Sequence, residues 1–202
     1  MRKNIHKNQH GFSLIETLIA VSILMIAIAG PLALVQAGLF SSIHQRNQVT
    51  ATYLAQEALE YIKNWRDTNS YTQYDPSTIA NNWLAGPDRA PLTDTCALSS
   101  GGCYVDPHGS LTGGNHFIQS VSSFSGDGYL YSTAGVFSYS YDTRGTITPY
   151  KRTVFITPVN NYDSGTGTHN DDEVTVTVTM SWKDNALPRT YTVSENIYNY
   201  EQ

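Results

Sequence analysis

Few residues in this 202-residue chain have types and spacing that could do chemistry. Its two cysteines, Cys96 and Cys103, enclose six residues, Ala97 to Gly102. In an oxidising compartment they are expected to pair. Closing so short a loop gains about 2.5 kcal/mol in the chain-entropy picture, enough to staple a loop but not to define a fold. A zinc centre is not expected, because two thiolates without further paired ligands do not complete a tetrahedron. His108, His116 and His169 fall in loops, where a solvated imidazole is the default. Asp163, Asp171, Asp172 and Glu173 form an acidic stretch, yet glycines stand where the ligands of an EF-hand belong, so a solvated turn is expected. Apart from His6 and His10 near the N-terminus, the chain has no His-x-x-x-His pair, and it has no nucleophile elbow or phosphate-binding glycine loop at a strand–helix junction. No catalytic residue, metal or cofactor is expected, and no enzyme.

One ionisable residue stands out by its position. Thr17 to Ile43 hold no Asp, Glu, Lys or Arg over 27 residues, and Glu16 stands immediately before them inside the apolar run. As a helix, at about 1.5 Å per residue, that run reaches roughly 40 Å. A hydrocarbon layer is about 30 Å thick, so the run can span a membrane. Arg2, Lys3 and Lys7 precede it, which places residues 1–10 in the cytoplasm and the remainder outside. A carboxylate at the centre of such a helix costs about 2.5–3.5 kcal/mol on insertion scales, less near the interface. The next basic residue of that helix is Arg46, too far along to serve Glu16, so a partner must come from elsewhere, or the acid stays protonated or snorkels to the interface.

Three readings of the N-terminus compete. One is a secretory signal peptide cut among the small residues between Ala33 and Gly38. Another is a plain signal anchor. Neither needs Glu16. The third follows from Gly11-Phe12-Ser13-Leu14-Ile15-Glu16-Thr17-Leu18-Ile19-Ala20, which resembles the processing motif of type IV prepilins and type II secretion pseudopilins. The resemblance implies cleavage by a prepilin peptidase between Gly11 and Phe12, N-methylation of Phe12, and an assembly role for Glu16 as the fifth residue of the mature chain. Cleavage would remove three cations and no acid, moving the formal net charge from −5 to −8. It would also create an α-amino group at Phe12. In a low-dielectric layer that amine and Glu16 of a neighbouring subunit attract, while each is costly alone. Their pairing would set axial register, as a lone polar residue does in a coiled coil. Gly30 and Pro31 are expected to break the helix, with a kink or local melting near Ile26 to Pro31.

Beyond Phe40 the pattern turns amphipathic. Ile43, Thr50, Tyr53, Leu54, Ala58, Tyr61, Ile62 and Trp65 recur at helical spacing, with Gln45, Arg46, Gln56, Glu57, Glu60, Lys63 and Asn64 mainly on the other faces. The helix is expected to run from about Phe12 to Trp65 and to end in Asp67-Thr68-Asn69-Ser70. Leu54-Ala55-Gln56-Glu57-Ala58-Leu59-Glu60 also resembles the corresponding stretch of PilV-type minor pilins and I-type minor pseudopilins. Residues 67–116 are rich in Asp-Pro, Gly-Pro and Gly-Gly steps and read as a long loop region. Residues 117–202 read as a sheet, with candidate strands 117–124, 128–141, 149–158, 173–183 and 188–199. The segment 173–182 alternates cleanly, so Val174, Val176, Val178, Met180 and Trp182 should cover the helix while the threonines face water.

Composition sets the frame. Charged residues are 14% of the chain against roughly 25% in an average soluble protein, and 14 tyrosines are present, a mix suited to strands and polar loops of an exported domain. The acidic balance argues against a broadly basic nucleic-acid binder. The expected class is α+β: a pilin fold, with a long N-terminal helix packed on an antiparallel sheet. The expected organisation is a leader at 1–11, a membrane or filament-core helix at 12–40, an amphipathic helix at 41–66, loops at 67–116 and the sheet at 117–202. The resemblance implies a minor pilin or pseudopilin acting in assembly priming, at the tip or in adhesion. Its implied partners are the prepilin peptidase, an inner-membrane assembly platform and other pilins. The absence of the C-terminal cysteine-bounded loop of many major pilins supports minor status. Two other classes compete: a membrane-tethered adhesin or DNA-binding module at a pilus tip, and an exported enzyme on an uncleaved anchor.

Overall fold

A computed structural model describes residues 11, 13–72, 83–85, 92–108, 117–133, 138–159, 161–163, 168–170, 173–184 and 186–199. The long helix α1 spans Leu14–Thr72. After Glu16 its first part, to Ile43, is mainly apolar and holds no Asp, Glu, Lys or Arg, and two of its hydroxyls bond within the helix. Thr17 Oγ1 donates to the Leu14 carbonyl and Ser22 Oγ to the Leu18 carbonyl, both at 2.8 Å. Such back-bonding hides polar groups where no water is available. The helix runs on through Pro31. Proline removes one N–H donor, but the residue before it is Gly30, which has no Cβ to clash with the proline ring.

The chain divides into two compact units, Met1–Arg46 and Asn47–Gln202. In the first, Gly11 and residues 13–43 are exposed throughout, including Leu18, Ile23, Leu24, Met25, Ile26 and Leu34. This helix is long and apolar enough to cross a membrane.

In the second unit one stripe of α1 is buried: Ala51, Leu54, Ala55, Ala58, Leu59 and Ile62. The spacing follows the helical period, and the three alanines let a sheet approach closely. Tyr53 lies 68% exposed, so the inward face is turned toward Ala51 and Ala55 relative to the expected set. The helix also continues past Trp65. Its last turns are tied down: Trp65 Nε1 donates to the Ala85 carbonyl at 2.7 Å, and Asn69 Nδ2 reaches the same carbonyl at 2.9 Å. These bonds hold a polar stretch in helix that by itself reads as a terminus.

Between helix and sheet lie α2 (Leu92–Thr95), a 3₁₀ turn (Leu98–Ser100) and strand β1 (Cys103–Val105). The following strands are β2 (Ile118–Ser120), β3 (Tyr129–Ser132), β4 (Tyr139–Ser140) and β5 (Thr146–Pro158). Then come β6 (Asn161–Asp163), β7 (Thr168–Asn170), β8 (Glu173–Asp184) and β9 (Leu187–Tyr198). Among the described residues seven strands form one antiparallel sheet, and β6 and β7 pair separately. β5 is its axis: β8 pairs along one edge, and β1 and β3 share the other. The candidate 117–124 shortens to three residues because Ser123 and Phe124 turn back onto the Ser120 carbonyl. The candidate 128–141 resolves into the β3–β4 hairpin.

Alternation places Val174, Val176, Val178, Met180 and Trp182 in the core beside Tyr150, Val154 and Ile156. Each such side chain contributes about 1.5–3 kcal/mol by leaving water. The opposite face carries matched hydroxyls: Thr175 bonds Asn196 and Thr177 bonds Ser194, each at 2.9 Å.

Candidate functional site

The sequence singles out the start of α1. Glu16 occupies its first turn, exposed, with its N–H bonded to the Ser13 carbonyl at 3.0 Å. An acid there complements the unpaired N–H groups and the positive end of the helix dipole. Gly11 is exposed with nothing near its Cα, whereas Phe12 lies outside the described residues. Gly30 and Pro31 lie within the same helix.

Cys96 and Cys103 form a disulfide, buried at both ends. The Cys96 carbonyl accepts from Ile156 N–H at 3.1 Å and Cys103 lies opposite Val154, so the staple holds its loop against β5.

A buried polar node was not anticipated. Arg152, with no exposed surface, projects from the inward face of β5. Its Nη1 donates to the Leu54 carbonyl at 2.8 Å and to Glu57 Oε2 at 2.7 Å, and its Nη2 to the Val105 carbonyl at 2.6 Å. One guanidinium therefore joins α1, β5 and β1. Nearby, Asp106 is fully buried; its Oδ2 accepts from Tyr141 N–H at 3.1 Å and its Oδ1 from His108 N–H at 2.9 Å. The Tyr141 hydroxyl donates to the Arg152 carbonyl at 3.0 Å. Burial pushes the Tyr141 phenol well above its ordinary range, and raises Tyr61 to about 12 with help from the Asp106 charge. Both terminal nitrogens of Arg152 are spent on the protein's own acceptors, while its buried Nε meets none among the described residues, so the node is a clamp between layers. The signal was present in Tyr150-Lys151-Arg152-Thr153-Val154, where an arginine takes an inward place in an alternating strand.

Among the described residues no group of three or more His, Cys, Asp or Glu could hold a metal ion. Asp171, Asp172 and His116 lie outside the described residues.

No curated protein and no solved structure matches the chain. The prokaryotic N-terminal methylation motif matches residues 6–30, covering Gly11, Phe12, Glu16 and Gly30. That motif is the signature of prepilins and pseudopilins. It heads an exposed apolar helix whose later turns pack on an antiparallel sheet. The chain carries the prepilin-type methylation signature at residues 6–30, at the head of an apolar helix long enough to cross a membrane and on a pilin-like α+β architecture.

Proposed function

We propose that this protein is a minor subunit of a type IV pilus-like filament or type II secretion pseudopilus. A prepilin peptidase cuts after Gly11, and Phe12 becomes the methylated first residue. Until assembly the subunit is held in the inner membrane by the apolar part of α1, with residues from Asn47 onward outside. An assembly platform then transfers it into a bundle of like helices. There Glu16 accepts the α-amino group of Phe12 from an adjacent subunit, so that an acid and a cation enter the apolar bundle as a pair. Gly30 and Pro31 supply the weak point at which α1 can yield as subunits pack. Minor rank is supported by the resemblance of Leu54 to Glu60 to minor pilins and minor pseudopilins.

The observation that carries this reading is the methylation motif at residues 6–30, with Glu16 exposed on the first turn of an apolar helix. Mass spectrometry of the native protein tests it. The expected mature chain begins at Phe12 and carries one additional methyl group; a first residue at any other position overturns the proposal. Glu16→Ala is expected to leave processing intact and to abolish entry into filaments.

A further inference from the structure

We infer that the outer edge of β9 docks the same edge of a second copy of this chain. The two strands meet antiparallel across a two-fold axis at Thr192, so that two sheets become one. The inference goes beyond the proposed function and needs neither cleavage at Gly11 nor entry into a filament.

The backbone supplies the site. Among the described residues β9 pairs only with β8, and the register runs from Asp184 opposite Leu187 to Glu173 opposite Tyr198 without a shift. The far edge of such a strand carries a row of unpaired N–H and C=O groups, a template for another strand. Which residues supply them follows from β8. Val159, just past the end of β5, donates its N–H to the Glu173 carbonyl at 3.0 Å. Backbone groups of successive strand residues point to alternate sides, so odd-numbered residues of β8 serve β5 and even-numbered ones serve β9. Val174 lies opposite Ile197 and Val178 opposite Val193. On β9, therefore, the odd-numbered residues face β8, and Thr190, Thr192, Ser194 and Asn196 present N–H and C=O to the open edge. No main-chain bond among the described residues takes these groups up. Bulges and prolines commonly blunt an open edge. From Arg189 to Tyr198 β9 has neither; its single proline, Pro188, stands at the start of the strand.

The side chains fit a second copy. With Thr192 on the axis, Thr190 lies opposite the other copy's Ser194, Tyr191 opposite its Val193 and Arg189 opposite its Glu195. Hydroxyls meet hydroxyls on one face, as they already do between β8 and β9, where Thr177 bonds Ser194 at 2.9 Å and Thr179 bonds Thr192 at 3.4 Å. On the other face an aromatic ring meets a β-branched side chain, and opposite charges meet, both favourable cross-strand pairs. Arg189 already lies 3.9 Å from Asp184, and Glu195 2.7 Å from Lys63; each side chain is still 44% exposed, which leaves room for a second contact of opposite sign. Moving the axis to Ser194 sets Glu195 against Val193, and moving it to Thr190 sets Arg189 against Tyr191, so the charges select Thr192. Such a self-complementary patch closes as a two-fold dimer. Asn47 Nδ2 donates to Asp184 Oδ1 at 2.6 Å and Arg66 Nη1 to the Tyr198 carbonyl at 3.4 Å, so β9 and residues 47–66 of α1 run the same way. Antiparallel β9 strands therefore join copies of this unit that stand in opposite senses. The contact belongs to facing subunits and not to neighbours aligned in one filament.

Cross-linking of the full chain in detergent tests the register. Cys96 and Cys103 are paired and buried, so an introduced cysteine supplies the reactive thiol. Thr192→Cys sets two thiols across the axis with Cα atoms about 5.5 Å apart, within disulfide reach. Thr190→Cys and Ser194→Cys each lie about 14 Å from their own counterparts, at roughly 3.4 Å per residue. Mild oxidation should therefore give dimer from Thr192→Cys, none from Thr190→Cys or Ser194→Cys alone, and dimer again when those two variants are mixed. Thr179→Cys on β8, away from the edge, should stay monomeric. Thr192→Lys sets like charges opposite one another at an exposed position; it should keep the parent's circular dichroism and lower the dimer fraction in sedimentation severalfold. Equal yields at 179, 190, 192 and 194 mean random collision and overturn the inference. So does a chain that stays monomeric at every concentration, or a dimer that survives Thr192→Lys and is thus held by another surface. In native membranes, a Thr192→Cys adduct with a chain of different mass assigns the edge to another protein and likewise overturns it.

Discussion

Arg152 brings a full positive charge into an apolar layer, and three acceptors from two other elements receive it. Removing a buried ionic partner strands the groups left behind and typically costs about 3–5 kcal/mol. Arg152→Met should lower the stability of the full chain in detergent by that amount, read from urea unfolding by tryptophan fluorescence. Glu57→Gln should cost less, about 1–2 kcal/mol, because the Glu57 side chain is 34% exposed and water already screens it. Equal losses from the two variants would mean that the ion pair, rather than the three-way clamp, carries the effect. At the surface, Arg144 wraps Asp142 and its bonds hold the Asp142 carboxyl down at about 2. A carboxyl whose folded pKa is depressed contributes stability above its unfolded pKa, near 3.8, and loses it as pH falls toward 2. Carboxyl NMR titration should place the Asp142 midpoint near 2, and Arg144→Ala should return it to the ordinary range. Tyr61 has the opposite sense. Its phenol is raised to about 12, so its contribution is intact below pH 10 and is lost as pH climbs from 10 to 12.

The stapled loop and the helix terminus decide how the elements join. Gly102 has φ 85°, and a Cβ there would lie 2.8 Å from the Val154 carbonyl oxygen. Both the left-handed backbone and the close approach require glycine. Gly102→Ala should therefore destabilise by about 2 kcal/mol or more, comparable with the roughly 2.5 kcal/mol expected for the double change Cys96→Ser and Cys103→Ser. Urea midpoints under oxidising conditions check both, and a loss below about 0.5 kcal/mol for Gly102→Ala would contradict the proposed backbone constraint. The turn of the β8–β9 hairpin shows the reverse case. Ala186 pays a left-handed penalty that glycine avoids, so Ala186→Gly should raise stability by up to about 1 kcal/mol.

At the scale of the molecule, folding and assembly belong to different residues. Glu16 lies in the unit Met1–Arg46, and the buried core is drawn from Asn47 onward. Substitutions with no shared partners act independently. Glu16→Ala should leave the unfolding midpoint of the detergent-solubilised chain within about 0.5 kcal/mol of the parent while blocking incorporation into filaments. Arg152→Met should lower the midpoint. A Glu16→Ala protein that unfolds early would place the acid in the stability of the fold and remove its dedicated role in assembly.

Local signals wrote much of this architecture into the amino-acid order. The motif around Gly11 and Glu16, the charge-free run to Ile43, the alternation of Val174 to Trp182 and the pairing of the only two cysteines are each short-range patterns. Periodicity and charge exclusion act on neighbours in the chain, so they can be read from neighbours. The continuation of α1 to Thr72, the inward rotation toward Ala51 and Ala55, and the clamp at Arg152 could not be read that way. Each depends on a group brought from far along the chain: the Ala85 carbonyl for the helix end, the sheet for the alanine stripe, and Leu54, Glu57 and Val105 for the guanidinium. The free energy of burying a polar or small side chain is set by what surrounds it, and only the folded chain supplies those surroundings.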